Sequence, residues 1–153
     1  MRFEASLAEG LRARAAGRAG PAARALRTAL EAYTGDLLPE DGPAEWVVDR
    51  RDQYRREAAE AALALANVEL GRGRPLAAAE AAARGLEIDP FRDDAWQTLI
   101  IAQRRCGDAA AAERSRKGHL RMLRSLGLPA GLPGDSALPG DGGQPGLEGV
   151  TVV

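Results

Sequence analysis

The sequence predicts an all-α fold made of successive helical hairpins, and three observations support this fold class. A pattern of small and turn residues recurs after 34 positions, so that Gly73 corresponds to Gly107 and Ala78 to Ala112. Hydrophobic residues make up 45 % of the chain but aromatic residues only 4 %, and the abundant alanine both favours helix and lets helices approach closely. Glycine and proline fall mainly between the helical stretches, where they act as breakers.

The repeating unit occurs twice in full, over 59–92 and 93–126, and once imperfectly near the start. Helix–turn–helix units of this length are typical of tetratricopeptide-type arrays, whose units stack into a curved surface. Such arrays usually hold another macromolecule. The predicted function is therefore binding rather than catalysis.

The first hairpin is predicted from residues 3–16 and 22–33, joined by a turn at Gly17. Pro21 lies where proline is tolerated, at the start of a helix. Three side chains spaced by four residues are expected to form one buried apolar edge of the first helix: Phe3, Leu7 and Leu11.

An acidic connection over 36–45 leads into a long predicted helix over 44–70, in which a break near Asp49 stays open. The acidic residues of the connection either dock a basic partner or lie near a helix start, where negative charge favours the helix dipole. Trp46 and Trp96 lie at helical core spacing, so they are predicted to pack rather than to serve as binding platforms.

The remainder of the repeat region predicts three helices: 75–88, 95–106 and 109–126. Asp93 and Asp108 are the expected N-caps of the last two. Gly85 lies inside a helix, where its missing side chain permits close approach of a neighbouring helix at a cost of ~1 kcal/mol against alanine. Asp89 and Pro90 end that helix.

The composition changes abruptly after residue 126. Residues 127–153 contain eight glycines, four prolines and no aromatic residue, so they cannot form a core of their own. The sequence therefore predicts a helical domain over 1–126 and a flexible tail over 127–153. Residues 150–153 could form a strand only by adding to the sheet of another protein.

The net charge of −1 is unevenly distributed. Residues 91–126 hold eight basic and four acidic residues, whereas 127–153 hold three acidic residues and no basic one. The single Cys106 cannot form an intramolecular disulfide, and no apolar run is long enough for a signal peptide or membrane helix. We therefore expect a cytoplasmic protein without a membrane partner.

The last predicted helix carries the candidate partner-binding residues. Four basic residues at intervals of three, four and three project from one side, and we call them the basic face: Arg114, Lys117, Arg121 and Arg124. They could bind phosphates or an acidic protein surface, or they could form a plain solvated face. Arg116 is expected near the middle of the apolar stripe, where it would snorkel, pair with an acid of the neighbouring helix, or mark a groove that a partner fills.

The sequence contains no pattern that predicts a catalytic or a metal site. Cys106 and His119 are the only available nucleophile–base pair, and no orienting group or oxyanion element accompanies them. One histidine and one cysteine fall short of a zinc site, and no phosphate-binding glycine loop is present. We therefore predict a non-enzymatic protein with no catalytic residue, no metal and no cofactor.

A family resemblance rests on the run ALEAYTGDLLPEDG at 29–42, followed by AEW at 44–46 and DRRDQYR at 49–55. Together with the opening Phe3-Glu4, Asp89-Pro90 and the closing LGLP at 126–129, this run resembles the bacterial transcriptional activator domain of Streptomyces antibiotic regulatory proteins. The resemblance extends from Phe3 to about Gly127. Where that family commonly has a tyrosine in the last helix, this chain has Arg116, and the approach to Leu126 is one residue short.

The resemblance implies a transcriptional activator whose helical domain contacts RNA polymerase and aids self-association, with a homodimer as one form. DNA would be bound only through the family's winged-helix domain, which is absent from these 153 residues. Two alternatives stay open at this point. The chain could be a free-standing tetratricopeptide-type adaptor unconnected with transcription, or a truncated regulator fragment.

Overall fold

The computed structural model describes residues 2–33 and 44–128. Six helices account for most of them: α1 (Arg2–Ala15), α2 (Ala19–Tyr33), α3 (Ala44–Gly71), α4 (Pro75–Ile88), α5 (Asp93–Arg105) and α6 (Ala109–Ser125). These ranges contain no strand, so the predicted all-α class is confirmed. Most of the acidic connection, the tail beyond residue 128 and the side chain of Trp46 lie outside the described part.

Helices that are consecutive in the chain pack against each other from α1 to α5, with smaller contacts of α3 with α1 and α5. Neighbour-on-neighbour packing is the property that defines a helical-repeat array. The backbone packing separates residues up to Arg116 from those beginning at Lys117, so this boundary falls inside α6.

The two full repeats turn in the same way. Gly73 and Gly107 have φ angles of 74° and 81°, a left-handed conformation that glycine adopts without steric cost. The amide of Arg74 donates to Glu69 O at 2.9 Å, and the amide of Asp108 donates to Gln103 O at 3.0 Å. These are the six-to-one hydrogen bonds of the Schellman motif, which satisfy the last carbonyls of each helix.

The larger core lies between α2, α3 and α4 and consists mainly of alanine and leucine, including Leu26, Ala62 and Ala82. A smaller cluster joins α1 to α2 and α3 through Phe3 and Tyr54, which are 0 % and 1 % exposed. Their ring centroids lie 5.9 Å apart in an edge-to-face arrangement, a favourable geometry for aromatic pairs.

Small residues bring the helices close at two points. A Cβ atom on Gly85 would lie 3.2 Å from the Cβ atom of Ala62 on α3, which confirms the predicted close approach. A Cβ atom on Gly10 would lie only 2.7 Å from the Leu26 side chain on α2. Because Leu26 is itself fully buried, the missing side chain of Gly10 is what allows α1 and α2 to approach closely here, and no local sequence pattern indicates this contact.

Several local predictions were wrong. Leu11 is 37 % exposed, so the apolar edge of α1 ends before it. Asp93 is the first residue of α5 rather than its cap, because Arg92 occupies the N-cap position without a side-chain cap bond. The sequence leaves a break near Asp49 open, and α3 continues across that residue. The helix α2 begins at Ala19 rather than after Pro21, so that Pro21 is its third residue. Proline is tolerated there because the amides of the first turn have no helical partner.

Candidate protein-binding surface

The helix α6 begins at a side-chain cap and ends at a backbone cap. The amide of Ala111 donates to Asp108 Oδ1 at 3.0 Å, which confirms the predicted role of Asp108 and satisfies an amide of the first turn. At the other end Gly127 has a φ angle of 77°, and the amide of Leu128 donates to Leu123 O at 2.9 Å. The helix has 17 residues, which corresponds to a length of about 25 Å.

One side of α6 is buried. Its members are small or apolar: Ala111, Ala112, Ser115, Gly118, Met122 and Leu123. His119 and Leu120 are half-buried beside them. The remaining residues of α6 are exposed.

The basic face lies on the opposite side of α6. All four of its side chains are exposed, as a spacing of three, four and three residues predicts. Among the residues that the structure describes, no carboxylate forms an ion pair with any of the four. The basic face therefore presents uncompensated positive charge to solvent.

Arg116 lies outside the apolar stripe in which the helical spacing predicts it. Its side chain is exposed, and Arg116 Nη2 and Nε donate to the two carboxylate oxygens of Glu113 at 2.7 Å and 3.0 Å. This two-pronged pairing with Glu113 raises the pKa of Arg116. Arg116 therefore lies at the edge of the buried sector, and it pairs within its own helix rather than with a neighbouring one. Its charge is compensated, unlike those of the basic face.

Trp96 packs only in part. It is half-buried, and its Nε1 donates to the carbonyl oxygen of Pro90 at 3.0 Å. An indole N–H needs a hydrogen-bond partner when it leaves water, and the carbonyl oxygen of Pro90 is that partner. The bond ties the first turn of α5 to the turn that precedes it. The tryptophan therefore helps to fix the turn between α4 and α5.

Cys106 is exposed and lines a groove of about 710 Å³ between the start of α4 and the end of α5. Leu76, with 65 % of its surface exposed, and the side chains of Arg74 and Arg105 lie along the same groove. None of the described residues that line it is histidine. Within the described ranges, no group of three or more histidine, cysteine or acidic residues could hold a metal ion.

Two ion clusters were not identified from the sequence. The carboxylate of Glu69 is fully buried and contacts Arg27 at 2.6 Å and Arg72 at 3.1 Å. Arg92 contacts Glu60 at 3.1 Å and Asp94 at 3.0 Å. One signal was available for the second cluster, since Glu60 and Asp94 are separated by one repeat period of 34 residues.

Comparison with known proteins gives a family. The chain matches the family model of the bacterial transcriptional activator domain over residues 1–131, in agreement with the resemblance noted above. No curated protein matches the chain. Two crystal structures of MamA match the chain: one is 20 % identical with a TM-score of 0.43, covering 82 % of this chain and 80 % of that chain. The other is 17 % identical with a TM-score of 0.42, covering 90 % and 97 %. No helix within the described ranges combines the length and apolar character that a membrane span requires.

Proposed function

The chain belongs to the bacterial transcriptional activator domain family, and on that basis we propose that it promotes transcription in the cytoplasm by binding RNA polymerase through the basic face of α6. The observation that carries this proposal is the exposed, uncompensated charge of the four side chains. Charges of one sign on a surface attract an acidic partner from a distance and orient it on approach.

A solvated end-helix is the competing interpretation, because the last helix of a repeat array needs a polar outer side to stay soluble. Solubility, however, is served by charges of both signs. Some exposed charges pair with opposite ones, as Arg116 does with Glu113, whereas others, such as Arg12 and Arg24, form no ion pair among the described residues. What distinguishes the basic face is that its four exposed cations lie on one side of a single helix. That concentration of one charge sign favours a partner outside this chain.

Self-association through the same face is disfavoured by electrostatics. A symmetric dimer places the same patch of both copies in contact, so two basic faces would repel each other. A homodimer would therefore need a different surface. RNA polymerase, or an acidic part of it, fits the charge of the basic face better than a second copy does.

The test is binding of the full chain to purified RNA polymerase holoenzyme at low and moderate salt. Reversal of the basic face, with each of Arg114, Lys117, Arg121 and Arg124 replaced by glutamate, is expected to weaken binding by about tenfold or more. Wild-type affinity should also fall with salt, because the attraction is between charges that water and ions screen.

The matched control reverses four exposed arginines of the first hairpin: Arg12, Arg14, Arg18 and Arg24. This variant has the same net charge and should keep wild-type affinity. An equal loss of affinity in both variants would show a non-specific charge effect. If reversal of the basic face leaves the affinity unchanged, the basic face is a solvated surface and the proposal is wrong. Tight salt-dependent binding to duplex DNA instead of polymerase would also contradict the proposal.

A further inference from the structure

The hairpin of α4 and α5 carries an exposed apolar side chain at each of its two ends. Leu76 lies in the first turn of α4 and is 65 % exposed, and Phe91 lies between α4 and α5 and is 55 % exposed. No other large hydrophobic side chain among the described residues is as exposed as these two. Single exposed apolar residues are common on protein surfaces, so the surroundings of each decide whether it binds anything.

Hydrogen bonds hold the turn that carries Phe91 on both sides of that residue. The amide of Phe91 donates to Asp89 Oδ1 at 3.1 Å, and the indole of Trp96 donates to the carbonyl oxygen of Pro90 at 3.0 Å. These bonds fix the backbone around Phe91 while its ring stays exposed. An aromatic side chain on a fixed backbone loses little conformational freedom on binding, and such side chains are the usual anchors of protein interfaces.

The groove at the other end of the hairpin fits such an anchor. Its volume of about 710 Å³ is within the range of pockets that hold drug-sized molecules. Leu76 and the half-buried Pro75 and Ala77 form the apolar part of its lining, and the side chains of Arg74 and Arg105 lie beside them. Since guanidinium groups bind the faces of aromatic rings, both parts of the lining suit a phenyl group.

Phe91 cannot reach the groove of its own chain. The groove lies at the start of α4, and Phe91 follows the end of that helix. The helix has 14 residues, which corresponds to a length of about 20 Å. Insertion of Phe91 into such a groove therefore requires a second copy of the chain.

The two ends of the hairpin have opposite charge. Residues 89–94 hold three acidic residues and one basic residue. The segments 74–76 and 104–108, which contribute to the groove, hold three arginines and one acidic residue. Glu80 also lines the groove, one turn farther along α4 than Leu76. The excess of opposite charge at the two ends orients the turn of one copy toward the groove of another.

We propose that the chain associates head to tail, with Phe91 of one copy inserted into the groove beside Leu76 of the next. The association is heterologous, because the two contacting surfaces are different, and each added copy offers a further turn and a further groove. Assembly therefore continues beyond a dimer. A contact built on one aromatic anchor buries less area than a stable dimer does, so we expect weak association. The proposal is independent of the proposed function, since it uses no residue of the basic face.

Sedimentation of the full chain tests the association. Between about 10 µM and about 1 mM, the range of weak complexes, the average mass of the wild type should rise with concentration and pass that of a dimer. Phe91→Ala and Leu76→Glu should each stay monomeric. Both positions are exposed, and an acid in the first turn of a helix is favourable, so neither change should unfold the chain. Val48→Ala, which also shortens an exposed apolar side chain, is the control and should associate like the wild type.

An equal mixture of the two monomeric variants identifies the contact. The Leu76→Glu chain keeps its Phe91, and the Phe91→Ala chain keeps its groove, so one contact between them is possible and a second is not. The mixture should therefore form a heterodimer and stop there. A monomeric wild type at about 1 mM, a wild-type mass that levels off at a dimer, association of either variant alone, or a mixture that stays monomeric would overturn the proposal.

Cys106 reports where the contact lies. Its thiol is exposed and lines the groove, so an occupied groove should protect it from iodoacetamide. The rate of alkylation should fall at least twofold over the concentration range in which the wild-type mass rises, and it should stay constant for Phe91→Ala. Association without protection of Cys106, or equal protection in Phe91→Ala, would show that another surface or another occupant is involved and would contradict the proposal.

Discussion

The turn between α3 and α4 has the same backbone conformation as the turn between α5 and α6. The side chains around the two turns differ. In the first, Glu69 is fully buried and binds Arg27 and Arg72. In the second, 34 residues later, Gln103 takes the place of Glu69, and its Oε1 atom is buried without a hydrogen-bond partner among the described residues. Cys106 takes the place of Arg72, so the ion cluster has no counterpart.

The helix starts differ in the opposite sense. Arg74 is the N-cap of α4 and makes no side-chain cap bond, whereas Asp108 at the equivalent position accepts a hydrogen bond from Ala111. Each turn therefore has one stabilising device that the other lacks. The glycine and the backbone hydrogen bonds therefore specify the turn, and the side chains around it supply stability in different ways.

The largest expected effect is on the buried cluster. Glu69→Gln removes the charge that Arg27 and Arg72 bind, and a hydrogen bond to a charged group contributes about 2 kcal/mol. Removal of one partner of a wholly buried ion pair would cost more than this. The side chains of Arg27 and Arg72, however, are 44 % and 30 % exposed, so water can solvate them after the substitution. We therefore expect the free energy of unfolding to fall by about 2 kcal/mol. The measurement is the free energy of unfolding in urea.

Glu80→Gln is the control, because Glu80 is exposed and in the same hairpin. It should change the free energy of unfolding by less than about 0.5 kcal/mol. Equal effects of the two substitutions would show that the Glu69 cluster contributes nothing particular, and the difference between the two turns would then be one of sequence only.

A smaller effect is expected at the helix starts, and its sign should differ between the turns. Asp108→Ala removes the cap of α6 and should cost about 1 kcal/mol in the free energy of unfolding. Arg74→Asp introduces the same cap in the first turn and replaces a positive charge at a helix N-terminus, so it should stabilise by about 0.5 to 1 kcal/mol. Thermal unfolding of both variants provides the measurement, and destabilisation by Arg74→Asp would show that the two turns are not equivalent.

Local features of these turns could be predicted from the sequence, whereas the distant contacts could not. The period, the glycines and the cap at Asp108 all depend on residues within a few positions of each other. Arg27, in contrast, lies 42 residues from Glu69, and only the packing of α2 on α3 brings them together. No local pattern indicates that pairing.

The candidate surface, too, could be predicted from the sequence only where it depends on local spacing. Exposure of the basic face follows from its spacing along one helix, so it could be predicted. The position of Arg116 depends on which sector of α6 is buried. Large apolar residues placed that sector around Leu120 and Leu123, but the small residues Ser115 and Gly118 are buried and shift it away from Arg116. Small side chains carry little hydrophobic signal, and only the packed structure shows that they face inward.

The smallest expected effect concerns a position at which both repeats retain an acid. Arg92 binds Glu60 and its equivalent Asp94, and the hydrogen bond from Arg92 lowers the pKa of Asp94 below its ordinary value of 3.8. A carboxylate with a lowered pKa stabilises the fold above its unfolded pKa, and this contribution is lost as the pH falls through the folded pKa.

Because Asp94 is 55 % exposed, we expect Asp94→Asn to cost only a few tenths of a kcal/mol at pH 7. In urea unfolding, that difference from wild type should disappear as the pH falls through the folded pKa of Asp94. The control is Asp49→Asn, at an exposed position on α3, which should cost less than Asp94→Asn at pH 7. A difference for Asp94→Asn that persists in acid would mean that Arg92 does not couple the two repeats through charge.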